Sequence, residues 1–233
     1  MAARSLSVVL VSGGLDSCVT AAIAAKDGDV AFIHVNYGQR TEGKELSCFN
    51  GIARRLGAKK TLIADFQHLK AIGASSLTDK KMEVPKGDIS RKEIPSTYVP
   101  FRNANLLSAA VSWAEAIGAK SVYIGAVEED SSGYPDCREG FFRAFEKAVT
   151  KGTRPSSAIR IKTPLIRLTK KEIVKKGVEL GAPLELTWSC YKDSIEACGK
   201  CDSCLLRLEG FKEAVVKDPL PYQKKKREER QRG

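Results

Sequence analysis

Ser12-Gly13-Gly14-Leu15-Asp16-Ser17 joins an apolar run to the first helix-like segment, and its reading decides the fold. Before it, Leu6 to Val11 is rich in β-branched residues, the pattern of a strand buried on both faces. After it, Cys18 to Ala25 is small and apolar with no Gly or Pro, and reads as helix. The junction is a strand, a glycine turn and a helix N-terminus, with Asp16 and Ser17 at cap or first-turn positions. Such a turn can hold an anion. Two glycines remove the Cβ atoms that would keep a phosphate from the backbone, unpaired N–H groups point at it, and the dipole favours negative charge. An ordinary βα turn with a Ser/Asp cap would use the same residues. The stretch matches neither G-x-G-x-x-G nor the Gly-Lys-Ser/Thr ending of a Walker A loop, so neither a dinucleotide site nor a γ-phosphate cradle is implied.

Outward from this turn, strands are expected at Val30 to Asn36, Lys60 to Phe66, Ser121 to Ala126 and Ile159 to Lys162. Helices are expected at Glu42 to Leu56, Asn103 to Ile117, Gly140 to Thr150 and Lys170 to Leu180. Gly57, Gly118 and Gly181 stand where three of these helices can stop in the left-handed conformation. Strands alternating with helices give a parallel, doubly wound α/β sheet, in which ligands bind beyond the carboxyl ends of the strands. The expected organisation is an α/β domain over residues 1–185, a small helical cysteine-bearing segment over 186–218 and a basic, disordered tail over 219–233. Residues 75–96 are polar, with Pro85, Gly87 and Pro95 and little periodicity, and read as an insertion or lid that is mobile without ligand.

At 233 residues with 42% hydrophobic content, the chain can bury one sizeable core. No apolar run approaches the roughly 20 residues that span a bilayer, and the N-terminal apolar run leads into Gly-Gly without a small-residue cleavage site. The expectation is a cytoplasmic protein with no membrane partner. The formal charge is +11, but Lys224 to Gly233 supply +4 of it, leaving +7 for the body. That suits phosphate-bearing ligands, and would also suit RNA.

Of seven cysteines, Cys190, Cys198, Cys201 and Cys204 form C-x7-C-x2-C-x2-C. Four thiolates separated by turn formers such as Gly199, Asp202 and Ser203 can converge on one tetrahedral ion. An odd cysteine count with this crowding points to reduced thiols and a metal. Zinc leads over an iron–sulfur cluster because Leu205, not a Cys-Pro ending, follows Cys204. With four protein ligands the site is closed and structural.

Gly125-Ala126-Val127-Glu128-Glu129-Asp130-Ser131-Ser132-Gly133-Tyr134-Pro135-Asp136-Cys137-Arg138 follows the fourth strand. Acids, an aromatic, a Pro turn and an Arg at a strand's carboxyl end are ingredients of a purine-like or acid-bearing substrate pocket. A solvated acidic loop is the plainer reading, against which Tyr134, Cys137 and Arg138 count.

The glycine turn resembles the SGG-x-D-S pyrophosphate loop of the PP-loop ATP pyrophosphatases, which cleave ATP to adenylate a carboxylate, amide or carbonyl oxygen. Together with Tyr98 to Asn103, Gly133-Tyr134-Pro135-Asp136-Cys137-Arg138, Lys162-Thr163-Pro164-Leu165, Thr187-Trp188-Ser189-Cys190-Tyr191 and the cysteines, the chain resembles, over nearly its whole length, the 7-cyano-7-deazaguanine synthase family of queuosine biosynthesis. Phe101 stands where relatives often carry Gly before Arg. The resemblance implies conversion of 7-carboxy-7-deazaguanine, ammonia and ATP to the nitrile through an adenylated carboxylate and an amide. A carboxylate is a poor electrophile, and must be esterified to phosphate before a neutral amine can attack.

Carried onto this sequence, the resemblance implies that Val11, Ser12, Gly13, Gly14, Leu15, Asp16, Ser17, Cys18, Val19, Thr20 and Ala21 hold ATP, and that Cys190, Cys198, Cys201 and Cys204 hold zinc. Loop position and charge assign Asp16 to the magnesium of Mg-ATP and Lys162 and Arg102 to phosphate charge. They assign Glu128, Tyr134, Asp136 and Arg138 to the substrate. A homodimer is expected, with no stable nucleic-acid partner. Free ammonia is expected, because no stretch has room for a glutaminase domain. Two other readings stand beside this one: a tRNA-thiolating PP-loop enzyme, which needs a redox-active cysteine pair or an iron–sulfur cluster near the loop, and a non-enzymatic zinc module that binds RNA through its basic tail.

Overall fold

The computed structural model describes residues 4–88, 93–128 and 133–223. Residues 224–233 of the expected tail, residues 129–132 of the acidic stretch and residues 89–92 of the expected lid lie outside them. Residues 219–223, expected as part of that tail, are instead held to the cysteine loop: the Ala197 N–H donates to the Pro221 carbonyl and the Gln223 N–H to the Ala197 carbonyl, each at 2.9 Å.

Five strands, β1 (Leu6–Leu10), β2 (Asp29–Asn36), β3 (Lys60–Asp65), β4 (Ser121–Tyr123) and β5 (Arg160–Lys162), form one sheet in the order β3-β2-β1-β4-β5. All neighbours are parallel; Val8 stands between Ala31 and Val122. The helices are α1 (Leu15–Asp27), α2 (Glu42–Arg55), α3 (Gln67–Ile72), α4 (Arg102–Ile117), α5 (Glu139–Gly152), α6 (Lys170–Glu179) and α7 (Asp202–Ala214).

Because β1 is central, both its faces are covered. Val9 enters a core with α1, α2, α6 and α7, whereas Val8 and Leu10 enter a second core with α4 and α5. This two-sided burial is why the run has no polar alternation. The expected doubly wound sheet is therefore the observed one. Gly57, Gly118 and Gly181 have positive φ at the three helix ends read from the sequence.

Two differences have local causes. β4 ends at Tyr123, short of the expected Ala126, because its partner β5 ends opposite it at Lys162. Beyond it Gly125 runs against the start of α1: a Cβ there would lie 2.9 Å from the Asp16 carbonyl carbon and 3.0 Å from the Ser17 nitrogen. The start of the expected lid, residues 75–78, is buried, while much of the rest of its described part is exposed. Ser75 and Ser76 are fully buried, and the Arg40 guanidinium donates to the carbonyls of Ser76 (2.7 Å), Asp79 (2.9 Å) and Met82. The Gly87 N–H donates to the Lys200 carbonyl at 2.8 Å, tying the segment to the cysteine loop.

Candidate active site

The sheet order reverses direction between β1 and β4, and a cavity of about 300 Å³ opens at their carboxyl ends. The glycine turn forms part of its wall. Gly14 is the N-cap of α1, and the first intrahelical bond runs from the Cys18 N–H to the Gly14 carbonyl at 3.0 Å. The N–H groups of Leu15, Asp16 and Ser17 precede that bond, at the positive end of the helix dipole. Ser12 and Ser17 lock the turn: the Ser12 hydroxyl bonds Ser17 Oγ at 3.1 Å and accepts from the Gly14 N–H, while the Ser17 hydroxyl donates to the Gly14 carbonyl. Gly13 has φ +90°, and a Cβ on it would lie 2.5 Å from the Glu45 carbonyl oxygen. No other residue fits there.

A second group of lining residues is aromatic and cationic. Arg102, the first residue of α4, donates to the Tyr37 hydroxyl at 3.1 Å and stacks 5.6 Å from that ring's centre. Tyr134 and Tyr191 complete the group, with Tyr134 hydrogen-bonded to Thr97 at 2.7 Å. Burial pushes the phenols of Tyr37, Tyr134 and Tyr191 upward, so they stay neutral and present both an O–H and a π-face. Leu10, Ile33, Val35, Leu106 and Ile124 also line the cavity. The turn suits a polyphosphate, and the aromatic and cationic group a flat, polar heterocycle bearing an anion.

The sequence-derived site residues divide accordingly. Val11, Ser12, Gly14, Leu15, Asp16, Ser17, Arg102 and Tyr134 line the cavity. Gly13 supports the turn from behind, and Cys18, Val19, Thr20 and Ala21 lie in the buried body of α1. Four expected ligand residues are not among the lining residues. Lys162 is exposed on the edge strand β5, and Arg138 is exposed as the N-cap of α5. Glu128 is exposed, and its carboxylate accepts the Glu139 N–H at 3.1 Å, at the start of α5. Asp136 is buried, and its carboxylate accepts the Asn103 N–H at 2.9 Å at the start of α4. Spacing placed these side chains near the strand ends; helix capping takes up both carboxylates.

Tyr37, Asn103, Lys170, Trp188, Tyr191 and Arg207 also line the cavity, although the sequence reading gave none of them a role. For Lys170 a signal existed. Thr169-Lys170-Lys171-Glu172 is a capping-box pattern, and the box is formed, which fixes the helix start that carries Lys170.

The four clustered cysteines meet at the cavity's edge, which Cys190 also lines. Their Sγ atoms all lie within 4.8 Å of one another. Tetrahedral thiolates about 2.3 Å from a shared ion stand about 3.8 Å apart, so the set fits one metal ion with little movement. Hydrogen bonds from Cys201 and Cys204 hold the Cys190 thiol far below its ordinary range. The N–H groups of Lys192 and Cys198 also point at Cys190 Sγ, at 3.4 and 3.3 Å. Backbone donors aimed at sulfur are the outer support that a thiolate site needs. Cys18 and Cys48, the thiols nearest the glycine turn, are buried, and burial pushes both upward, Cys18 to about 12. Neither resembles a reactive sulfur-transfer cysteine.

Residues 6–215 match the family model described as "Queuosine biosynthesis protein QueC". The chain belongs to the QueC family. A protein named 7-cyano-7-deazaguanine synthase from Acidobacterium capsulatum is 55% identical over 94% of this chain and 97% of its own. One of the same name from Nitratiruptor sp. is 55% identical over 93% of this chain and 98% of its own. Among solved structures, NMN synthetase from Francisella tularensis aligns over 79% of this chain and 65% of its own at 17% identity and a TM-score of 0.44, a distant likeness. No helix among the described residues is long and apolar enough to cross a membrane.

Proposed function

We propose that this QueC-family chain converts 7-carboxy-7-deazaguanine, ammonia and ATP to 7-cyano-7-deazaguanine, through an adenylated carboxylate and an amide. The observation that carries the reading is one cavity joining an anion-binding glycine turn to the Arg102 and tyrosine pocket. ATP phosphates lie against the turn, where the N–H groups of Leu15, Asp16 and Ser17 meet charge as it develops on the departing phosphate. The deazaguanine lies among Tyr37, Tyr134 and Tyr191, and Arg102 beside them receives its carboxylate. Holding the carboxylate and ATP in one cavity turns a bimolecular encounter into an intramolecular one.

Asp16 is the carboxylate placed to help hold the magnesium of Mg-ATP. Cys190, Cys198, Cys201 and Cys204 would hold one zinc ion, which supplies a cross-link to the wall bearing Trp188 and Tyr191 and takes no part in the chemistry. The reading includes a homodimer in the cytoplasm, fed by free ammonia and without a stable nucleic-acid partner.

Mass spectrometry of a reaction containing the protein, 7-carboxy-7-deazaguanine, ammonium and Mg-ATP tests the proposal. Nitrile, with amide at early times, is the expected result, and AMP with pyrophosphate or ADP with phosphate identifies the bond cut. Absence of both nitrile and amide from metal-replete protein rejects it.

A further inference from the structure

The cavity wall at the glycine turn contains a cation that charge and spacing in the sequence did not single out. Lys170 Nζ lies 2.8 and 2.9 Å from the two carboxylate oxygens of Asp16. Asp16 is in the first turn of α1, and Lys170 is the first residue of α6. The ammonium therefore stands where two helix N-termini meet. Each end carries about half a positive charge, so a lysine is poorly placed there on dipole grounds alone. Asp16 offsets one unit, and the remaining field around the Ser12 to Ser17 turn is positive. A buried surplus of this sign, open to a cavity, is an environment made for a multiply charged anion.

The lysine is held in place rather than free to swing. Its side chain is only 12% exposed. The stem lies under Gly210 of α7: a Cβ there would stand 2.4 Å from Lys170 Cγ and 2.9 Å from its Cβ. Glycine at 210 thus lets α7 press Lys170 towards Asp16. Helix α7 begins at Asp202, between Cys201 and Cys204, so the cysteine cluster anchors the helix that sets this lysine. The other cationic lining residues are committed elsewhere. Arg102 sits with the tyrosines, and Arg207 is bidentate to Asp218.

We infer that Lys170 is the residue that binds the polyphosphate of ATP, exchanging the Asp16 carboxylate for phosphate oxygens, and that Gly210 is its positioning residue. This rests on the ATP-dependent reading above and deepens it. No bond is made or broken in the exchange; Asp16, relieved of its partner, is left free for the magnesium that accompanies the nucleotide.

Isothermal calorimetry with Mg-ATP and with inorganic pyrophosphate, on the metal-replete full chain, tests both parts. Lys170→Ala is expected to weaken both ligands by 10-fold or more, as loss of one charge-assisted contact does, and Lys170→Arg to restore part of it. In the nitrile assay the KM for ATP should rise while the KM for 7-carboxy-7-deazaguanine holds. Gly210→Ala should weaken ATP in the same direction with metal content near that of the parent, and the overpacked α6–α7 contact should lower its thermal midpoint. Lys170→Ala binding both ligands within 2-fold of the parent overturns the assignment. Folded Gly210→Ala with unchanged ATP binding overturns the positioning role. If the parent binds ATP, Lys170→Ala does not, and no nitrile forms, the inference stands and the reaction assigned above falls.

Discussion

The carboxylate of Asp136 accepts the backbone N–H of Asn103 at 2.9 Å across 33 positions of sequence. It supplies the cap that Phe101, in the left-handed conformation with φ 54°, does not give to α4. In return Asn103 Nδ2 donates to the Asp136 carbonyl at 2.9 Å and to Cys137 Sγ. Arg102 lies one residue before Asn103, so this bond sets the guanidinium's place in the cavity. Asp136→Ala should cost about 1–2 kcal/mol, the range for a lost N-cap, and lower the thermal midpoint by a few degrees. It should also raise the KM for 7-carboxy-7-deazaguanine more than that for ATP, because Arg102 moves and the glycine turn does not. Asp136→Asn keeps an acceptor oxygen and should recover most of the stability. Equal changes in both KM values would assign Asp136 to the general fold instead.

Gly13 and Gly118 both have positive φ, at +90° and +74°, yet they differ in what surrounds them. A Cβ at 118 meets nothing within 4 Å, whereas one at 13 meets backbone of α2 at 2.5 Å. Gly118→Ala should therefore cost only the left-handed penalty, about 1–2 kcal/mol, with turnover unchanged. Gly13→Ala must shift the turn, and a displacement of about 1 Å at reacting groups can cost about 100-fold in rate. Thermal unfolding and steady-state kinetics of the pair separate the two effects. Equal turnover in both variants would remove the turn from the catalytic account.

Glu115 on α4 accepts the Arg154 N–H at 2.7 Å and the Ser157 hydroxyl at 2.9 Å. The Arg154 backbone bond first, and the Ser157 bond second, hold its carboxyl below the ordinary 4.5. A group with a depressed folded pKa stabilises above its unfolded value and loses that contribution as pH falls through the folded one. The stability difference between the parent and Glu115→Gln should therefore be constant near neutrality and shrink below about pH 4.5. Thermal midpoints at a series of pH values read it, and a difference that grows on acidification would contradict the assignment.

The glycine turn and the order of strands and helices were legible because they rest on local signals: β-branched runs, glycines at helix ends and a long helix with apolar residues at helical spacing. Helix α7 was not delimited. Its inward face is Cys204, Arg207, Phe211 and Ala214, at helical spacing but with a thiol and a guanidinium in place of two apolar residues. Hydrophobic periodicity is blind to a face made that way. Lys162 reads as a phosphate cation for a different reason, its place at a strand's carboxyl end. It follows a strand, but on an edge strand every second residue faces water, and the lysine that reaches the turn comes from a helix start distant in sequence. Asp136 and Glu128 each bond the start of a remote helix, and a carboxylate that does so looks, in sequence, like one free for a ligand.

Arg207 and Asp218 form the most buried ion pair described, with side chains 1% and 8% exposed. Arg207 also donates to Thr187 Oγ1 at 2.7 Å and Ser189 Oγ at 3.2 Å, and Tyr222 donates to Asp218 at 2.7 Å. Removing one partner strands a charge in the interior. Arg207→Ala and Asp218→Ala should each cost about 3–5 kcal/mol, while Arg207→Met combined with Asp218→Leu should cost less than either alone. Chemical denaturation of the three variants reads the comparison; a double variant weaker than both singles would show that the pair itself stabilises the fold.

The cysteine cluster and the glycine turn share a wall. The Trp188 N–H donates to the Gly13 carbonyl at 2.9 Å, and two residues later Cys190 enters the cluster. The Trp188 indole N–H in turn donates to the carbonyls of Cys190 (3.1 Å) and Asp193 (3.0 Å). A metal ion held by the four thiols fixes Cys190, and through it the strand of backbone that braces Gly13 and presents Trp188, Ser189 and Tyr191 to the cavity. Cys201→Ser should drop the metal-to-protein ratio from one towards zero, because a serine oxygen is a poor substitute for thiolate and the binding free energy is part of folding. The Trp188 environment should change with it, shifting intrinsic fluorescence, and affinity for both ATP and the carboxylate substrate should fall together. That joint loss distinguishes the cluster from Asp136, which acts on the substrate site alone. Full activity in metal-free Cys201→Ser would detach the cluster from the active site.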